Sequence, residues 1–434
     1  MWSTPTRRFT KQVNEMEDIV VGIDVGTSKI CTLVAKIEND DTLRVMGAGI
    51  TASEGIRKGQ IVDLDAASRA ITKSVTAAEE ESGVNINTAL VNLAGGQVSS
   101  INSRGRATVA NQRVSDADVE RALDEARNVA VPSSREVIHI IQRGFSLDGQ
   151  DGIQQPVGLH GQRLEVEAHV ITAASATARN MRAAIGAAGV KVAQFVLNPL
   201  ASAEVVLSEN ERTMGAVVCD IGAGTTDLAI YINGDVWHTM VLPLGGNNIT
   251  QDIATGLGLP FHLAEDAKRQ FGYAVESEIG YDEAFTVQAF GTDAPVKMNR
   301  RDLAMIIEYR VEEIFDLALL EIKRSGYDGL LPAGMILTGG SSLLPGIKQQ
   351  AQKVLRMPVR LAQPDDLAGD MKRLRSPAFS TTIGLVNWAA ALQGLSFPSA
   401  ETVSKSKKQP EPRNPSAASE QLNTFKDFLK RLMP

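Results

Sequence analysis

Apolar positions cluster in short runs rich in Val, Ile and Leu, broken at glycine-containing turns. Residues 19–23 and 30–37 flank 24–29, and two β-branched runs across a Gly/Ser/Thr turn predict a β-hairpin. Residues 43–50 add a third strand. Over 65–83 the period changes: Ala66, Ala70, Val75 and Ala78 recur at roughly helical spacing, and Gly83 is the stop. Ser115-Asp116-Ala117-Asp118 opens a second helix as a capping-box variant, with Val119, Leu123, Ala126 and Ala130 on its apolar face. Residues 136–145 and 164–172 alternate as strands, and 176–188 is helical up to Gly189. Residues 101–178 therefore read as a small α+β unit.

A second strand–turn–strand begins at Ala216. Val217, Val218 and Cys219 lead into 220–227, residues 228–232 lead out, and a turn at Asn233-Gly234-Asp235 precedes another strand. Residues 301–324 carry Leu303, Ile306, Ile307, Val311, Ile314 and Leu317 in helical register. A short strand at 335–337 ends in Thr338-Gly339-Gly340-Ser341-Ser342. Residues 401–420 are rich in Ser, Lys and Pro and read as a disordered linker. Residues 421–434 are periodic again.

The chain has 434 residues, enough for about two to four domains. Its 44 Lys/Arg against 51 Asp/Glu leave a net charge of −7, which argues against a dedicated nucleic-acid binder. The charge is uneven: residues 401–434 carry +3 and residues 1–400 carry −10. Two cysteines, Cys31 and Cys219, suggest no disulfide framework and fit a reducing cytoplasm. Residues 1–18 lack the apolar core of a signal peptide and are expected to form a disordered leader. No run approaches the ~18 apolar residues of a membrane span.

The chemistry lies in the turns. In Asp24-Val25-Gly26-Thr27-Ser28-Lys29, glycine lets the backbone come close to a ligand, and N–H groups and hydroxyls can bond phosphate oxygens. Asp24 can hold Mg²⁺ through water and Lys29 adds positive charge. Alone, these are also ordinary hairpin residues. The same plan returns 196 residues later as Asp220-Ile221-Gly222-Ala223-Gly224-Thr225-Thr226-Asp227, which suggests duplicated domains facing each other across a cleft. Gly339, Gly340 and Ser341 supply a third glycine turn after a strand, where adenosine can approach. Walker A, dinucleotide-fold, zinc and Gly-x-Ser-x-Gly patterns are missing, and the five scattered histidines read as structural.

The three loops, in this order, resemble the two phosphate motifs and the adenosine motif of the actin, heat-shock chaperone and sugar-kinase superfamily. The stretches 22–29, Arg135-Glu136-Val137-Ile138-His139, Asn198-Pro199-Leu200-Ala201-Ser202, Gly245-Gly246-Asn247-Asn248-Ile249-Thr250 and the short C-terminal helix narrow this to a resemblance to the bacterial FtsA family of cell-division proteins. The resemblance implies an α/β, actin-like ATPase fold: two duplicated subdomain cores around a nucleotide cleft, an inserted α+β subdomain and a C-terminal amphipathic helix. The implied division is a first core over 19–100, 179–212 and 381–400, the insert over 101–178, a second core over 213–248 and 301–380, and a small subdomain over 249–300. It implies ATP with hydrated Mg²⁺ at Asp24 and Asp220, Gly245, Gly246 and Asn247 beside the phosphates, and Glu265 and Lys268 near the adenosine. The last two share a helix face at i, i+3, a spacing that also suits a surface ion pair. Gln194 and Asn198 are the candidates nearest the usual water-orienting glutamine. Neither is convincing, so slow turnover or nucleotide-gated assembly fits better than rapid hydrolysis.

In the last fourteen residues, Leu422, Phe425, Phe428, Leu429, Leu432 and Met433 share one helical face, with Lys426, Lys430 and Arg431 on or beside the other. Such a helix folds as it lands on an anionic membrane; docking on the protein's own body or on a partner is the alternative. The resemblance implies filament self-association, other division partners, a place on the cytoplasmic face of the membrane at the division site, and binding of the FtsZ C-terminal tail by the small subdomain. Lys297, Arg300 and Arg301 are the candidate contacts for that acidic peptide, or simply a solvated helix start. A pilus-assembly protein of the PilM type, a sugar kinase and a chaperone ATPase are the competing readings.

Overall fold

The structure is a computed structural model that describes residues 18–393 apart from 39–41, 129–130, 293 and 365–371. Residues 1–17 of the leader, Ala130, residues 394–400, the linker at 401–420 and the membrane-binding candidates between Leu422 and Met433 lie outside the described residues.

Strands β1 (Ile19–Val25), β2 (Lys29–Ile37) and β3 (Leu43–Ala52) form an antiparallel meander. A two-strand ribbon, β4 (Ile56–Arg57) and β5 (Gln60–Ile61), leads to helix α1 (Leu64–Ser82) and strand β6 (Thr88–Leu93). Asp63 caps α1 by accepting from the Ala66 N–H, and Gly83 ends it at φ 69°, a left-handed turn that suits glycine. The chain then builds β7 (Val98–Thr108), α2 (Asp116–Arg127), β8 (Arg135–Leu147), β9 (Gln150–Ile153) and β10 (Arg163–Ala174). It continues through α3 (Ser175–Gly186) to β11 (Lys191–Leu197), α4 (Asn198–Val206) and α5 (Glu209–Met214).

The second half repeats the first. β12 (Ala216–Ile221), β13 (Thr226–Ile232) and β14 (Asp235–Leu242) form another meander. After it come α6 (Gly246–Leu257), α7 (Phe261–Phe271), β15 (Ala284–Val287), β16 (Val296–Asn299) and α8 (Arg300–Ser325). β17 (Gly334–Thr338), α9 (Ile347–Leu355), β18 (Val359–Leu361) and α10 (Ser380–Gln393) complete the described chain. The two five-stranded sheets, β3-β2-β1-β6-β11 and β14-β13-β12-β17-β18, have the same order. In each, the meander pairs antiparallel and the two further strands add parallel.

Helices α4 and α10 sit between the sheets. Leu200 and Ala203 of α4, with Leu385 and Trp388 of α10, fill one core with Leu33 of the first sheet and Val218 of the second. The helices cross so closely at Gly384 that a Cβ there would stand 1.8 Å from the Ala201 carbonyl oxygen. The insert has its own sheet, β7-β10-β8-β9, and its own core, in which Ala122 and Ala126 of α2 cover Leu164 and Val166. Ser115 and Asp118 form the capping box read from sequence. One boundary moves: Ala178, expected in the insert, lies on α3 and is buried with Met181 and Ile185 in the first lobe's core. The apolar face of α3 serves the first sheet.

Candidate functional site

The first hairpin turn is closed by the Gly26 N–H donating to the Lys29 carbonyl at 3.0 Å, the second by the Gly222 N–H donating to the Thr225 carbonyl at 2.9 Å. Asp24 and Asp220 occupy matching places near the end of each leading strand, opposite Cys31 and Asp227 in register. The turns face each other. A Cβ on Gly224 would stand 2.5 Å from Thr27 Oγ1 and 2.9 Å from Lys58 Cα, so only glycine lets the lobes approach this closely.

Between them is a cavity of about 800 Å³. Asp24, Gly26, Thr27, Ser28 and Lys29 line one side, and Asp220, Gly222, Ala223, Gly224, Thr225 and Asp227 line the other. Gly246, Asn247, Glu265, Lys268, Gly339, Gly340 and Ser341 complete the wall. Two expected residues stand behind it. Thr226 is fully buried and donates to the Leu244 carbonyl at 2.9 Å, because strand alternation turns it away from the side that Asp227 faces. Gly245 is pressed against the second turn: a Cβ there would lie 2.7 Å from the Gly222 carbonyl oxygen.

Asp24 is buried and fully engaged. Its Oδ1 accepts from Asn92 Nδ2 at 2.9 Å, and its Oδ2 accepts from Thr382 at 2.8 Å and Lys29 at 3.2 Å. Asp220 Oδ2 accepts from Ser202 and Thr381. Burial pushes the Asp220 carboxyl above its ordinary range; the two hydroxyls pull it back and the Asp24 charge adds to the rise. Asp227 is pushed up to about 8, first by burial and then by Asp220. Its Oδ2 accepts from Thr225 at 2.9 Å and from Asn198 at 3.4 Å, while its Oδ1 is buried without a partner among the described residues. Among the described residues no three acidic, histidine or cysteine side chains converge to hold an ion directly. The Asp24 and Asp220 carboxylates on the cavity wall fit a dication that keeps its water shell, as Mg²⁺ does.

At the far end, Lys268 Nζ donates to Glu265 at 2.6 Å, Thr250 at 2.8 Å and the Gly246 carbonyl at 3.1 Å. Burial lowers the Lys268 pKa and Glu265 pulls it back up. The pair lies inside the cavity wall and holds α7 against the start of α6. Phe261, Arg269, Leu343 and Pro377 extend this end.

Sequence reasoning missed Asn92, Thr381 and Thr382 and gave Ser202 no site role. No local pattern marks them, since each reaches its aspartate through a distant element. Of the two water-positioning candidates, Asn198 lines the cavity and Gln194, on β11, does not. The histidines are structural where the structure shows their partners. His139 accepts from the Leu197 N–H beside Trp388, and His169 bridges Asn102 and Thr239. Two of the basic trio already have partners within the small subdomain and the helix that follows it. Arg300 pairs with Glu283 at 2.6 Å and donates to the Phe271 carbonyl, while Arg301 pairs with Glu276 and lies 4.0 Å over the Tyr281 ring. Both cations are half-buried, and Lys297 is exposed.

A family model described as cell division protein FtsA matches residues 217–384, and one described as the SHS2 domain inserted in FtsA matches residues 95–172. Cell division protein FtsA of Pseudomonas aeruginosa is 37% identical over 375 residues, covering 86% of this chain and 90% of that protein. The FtsA of Bacillus subtilis is 35% identical over 382 residues (87% and 85%), and that of Escherichia coli K12 is 34% identical over 377 (85% and 90%). Among solved structures, a PilM–PilN type IV pilus biogenesis complex aligns with a TM-score of 0.61 at 16% identity, over 86% of this chain and 98% of that one. MreB5 of Spiroplasma citri bound to ADP aligns at 0.50 and 14% identity, over 87% and 98%. These two likenesses establish the actin-like fold. Given relatives this similar over most of their length, with the inserted SHS2 domain in its place, the chain belongs to the FtsA family of cell-division proteins.

Proposed function

We propose that this chain is an ATP-binding division protein that assembles into actin-like filaments on the cytoplasmic face of the membrane at the division site. There it tethers FtsZ filaments and helps to gather other division proteins. The observation that carries the reading is the pair of matched hairpins, Asp24–Lys29 and Asp220–Asp227, closing on one cavity from two lobes of the same topology. Backbone N–H groups and hydroxyls of Gly26, Thr27, Ser28, Gly222, Ala223, Gly224 and Thr225 would hold the phosphates, with Lys29 adding charge. Asp24 and Asp220 would hold Mg²⁺ through water, and the ion supplies charge neutralisation at the phosphates when bound. Glu265, Lys268 and the turn at Gly339–Ser341 would take the nucleoside end. The ADP-bound MreB5 neighbour supports a nucleotide as occupant of this fold.

The membrane and FtsZ parts rest on the sequence. The apolar face from Leu422 to Met433 would supply most of the attraction, at roughly 1.5–3 kcal/mol per fully buried large side chain before ordering costs. The +3 charge of residues 401–434 assists where a body at −10 is repelled by anionic lipid. An array of such tails on a filament gains by avidity.

The test is recruitment. With vesicles of phosphatidylglycerol and phosphatidylethanolamine and Mg²⁺-ATP, the full chain should carry fluorescent FtsZ to the floating fraction, and a chain ending at residue 420 should not. Equal recruitment by both, or none by either, contradicts the tether.

A further inference from the structure

The insert belongs by chain connectivity to the first lobe, since it leaves after β6 and returns before β11, both strands of the first sheet. It nevertheless packs on the second lobe. Its strands meet β14, the outer strand of the second sheet, and the contact is built from buried polar groups. The Arg143 side chain, on β8, is 3% exposed. Its guanidinium lies 3.9 Å over the Trp237 ring of β14 and donates to the Tyr327 hydroxyl at 3.3 Å. Its nearest carboxylate oxygen, on Glu167, is 3.9 Å away, and its Nε is buried without a partner among the described residues. On the adjacent strand, His169 of β10 reaches Thr239 Oγ1 at 3.0 Å, and its other ring nitrogen meets Asn102 at 2.7 Å. Trp237 and Thr239 are two apart on β14, with Trp237 at the register shift that leaves it out of the β13 pairing.

β14 runs straight into the cavity wall. After Leu242 the chain passes through Pro243 and Leu244 to Gly246, whose N–H donates to the Gly222 carbonyl at 3.0 Å. The Asn247 N–H donates to the Ala223 carbonyl at 2.8 Å. A shift of β14 therefore displaces the second phosphate hairpin. A buried guanidinium held mainly by a ring face tolerates no half-open state: dry and stacked, it is stable, and parted but still buried, it is an unpaired charge. Such contacts have two discrete arrangements.

We propose that the insert is an interlobe clasp. Arg143 on Trp237 and His169 on Thr239 hold the two lobes together around the cavity, so the cleft opens to exchange its ligand only when the insert lets go of β14. Coupling is reciprocal: a ligand bridging the lobes tightens the clasp, and a weakened clasp releases the ligand faster. The ligand arm rests on the nucleotide reading above; the lobe arm does not.

The experiment compares the full chain with Arg143→Met and Thr239→Val. Spin labels at Arg69→Cys on α1 and Gln251→Cys on α6 report the interlobe distance, and the native Cys31 and Cys219 are buried. Without nucleotide, both variants should broaden and lengthen that distance distribution. Unchanged distributions in folded variants overturn the clasp whether or not ATP binds. With a fluorescent ATP analogue, both should release it about tenfold faster than the parent. Release within about twofold of the parent, from variants that do bind, also overturns it. Failure of the parent itself to bind would count against the nucleotide reading, leaving the distance measurement to decide the clasp. Arg143→Lys keeps the charge but loses the planar stack, and it should fall between parent and Arg143→Met.

Discussion

Thr382 donates its hydroxyl to Asp24 at 2.8 Å across 358 residues of chain, and its neighbour Thr381 does the same for Asp220 at 3.0 Å. One helix start thus reads the matched aspartates of both lobes. Thr382→Val removes one donor from a buried carboxylate oxygen, which costs about 1–3 kcal/mol. Thr381→Val should cost a similar amount, because each oxygen keeps one other donor, Lys29 on Asp24 and Ser202 on Asp220. Denaturant unfolding of the two variants checks this; a loss confined to one of them would refute it.

Gly224→Ala should separate folding from ligand binding. The three atoms nearest the added methyl belong to Thr27 and Lys58 of the opposite lobe. We expect ATP affinity to fall at least about tenfold, which is about 1.4 kcal/mol, with unfolding little changed. Titration with ATP beside a thermal melt distinguishes the outcomes. Undiminished affinity would mean that the turns do not close on the ligand.

What could be read from sequence was local. The hairpin at Asp24, its repeat at Asp220, the Ser115–Asp118 capping box and the Gly83 stop are each written within a few residues, where turn chemistry and side-chain period act directly. The actin-like fold is implied by the resemblance of the three glycine turns, in their order, to a known superfamily. Asn92, Thr381 and Thr382 could not be found that way, because a threonine on an apolar helix shows its role only once the helix lies between two sheets. Thr226 was misplaced for a simpler reason: composition alone does not say which side of a strand a hydroxyl takes. Arg301 was offered to a partner although Glu276 and Tyr281, 25 and 20 residues earlier in the chain, already hold it.

Acid should loosen the insert. Burial holds the His139 and His169 rings neutral, down to about 4 and about 3, against 6.5 when exposed. A depressed folded-state pKa contributes stability that is complete above pH 6.5 and drains as the pH falls toward the folded values. Each ring loses about 1.4 kcal/mol per pH unit over that window. Asp227, pushed up to about 8, works the other way: its contribution is complete at low pH and is lost as the pH rises to that value. His169→Gln isolates the histidine effect. Urea unfolding at pH 7.5 and 5 should show a smaller pH difference in the variant than in the parent; an unchanged difference contradicts the assignment.

The small subdomain offers one exposed cation of the three named from sequence. Lys297→Glu should weaken binding of an acidic FtsZ tail peptide about two- to fivefold, in keeping with an exposed contact worth under about 1 kcal/mol. Arg301→Ala should instead lower stability slightly, by freeing Glu276 and removing the cation from the Tyr281 ring. Peptide titration and thermal melts on both variants tell these apart.

The most direct test of the matched hairpins is calorimetric titration of the full chain with ATP, with and without Mg²⁺, beside Asp220→Asn. We expect one site per chain, tighter with Mg²⁺, and weakened about tenfold or more in the variant, with most of its Mg²⁺ dependence gone. Binding of equal strength in parent and variant, or no binding by the folded parent, would contradict it.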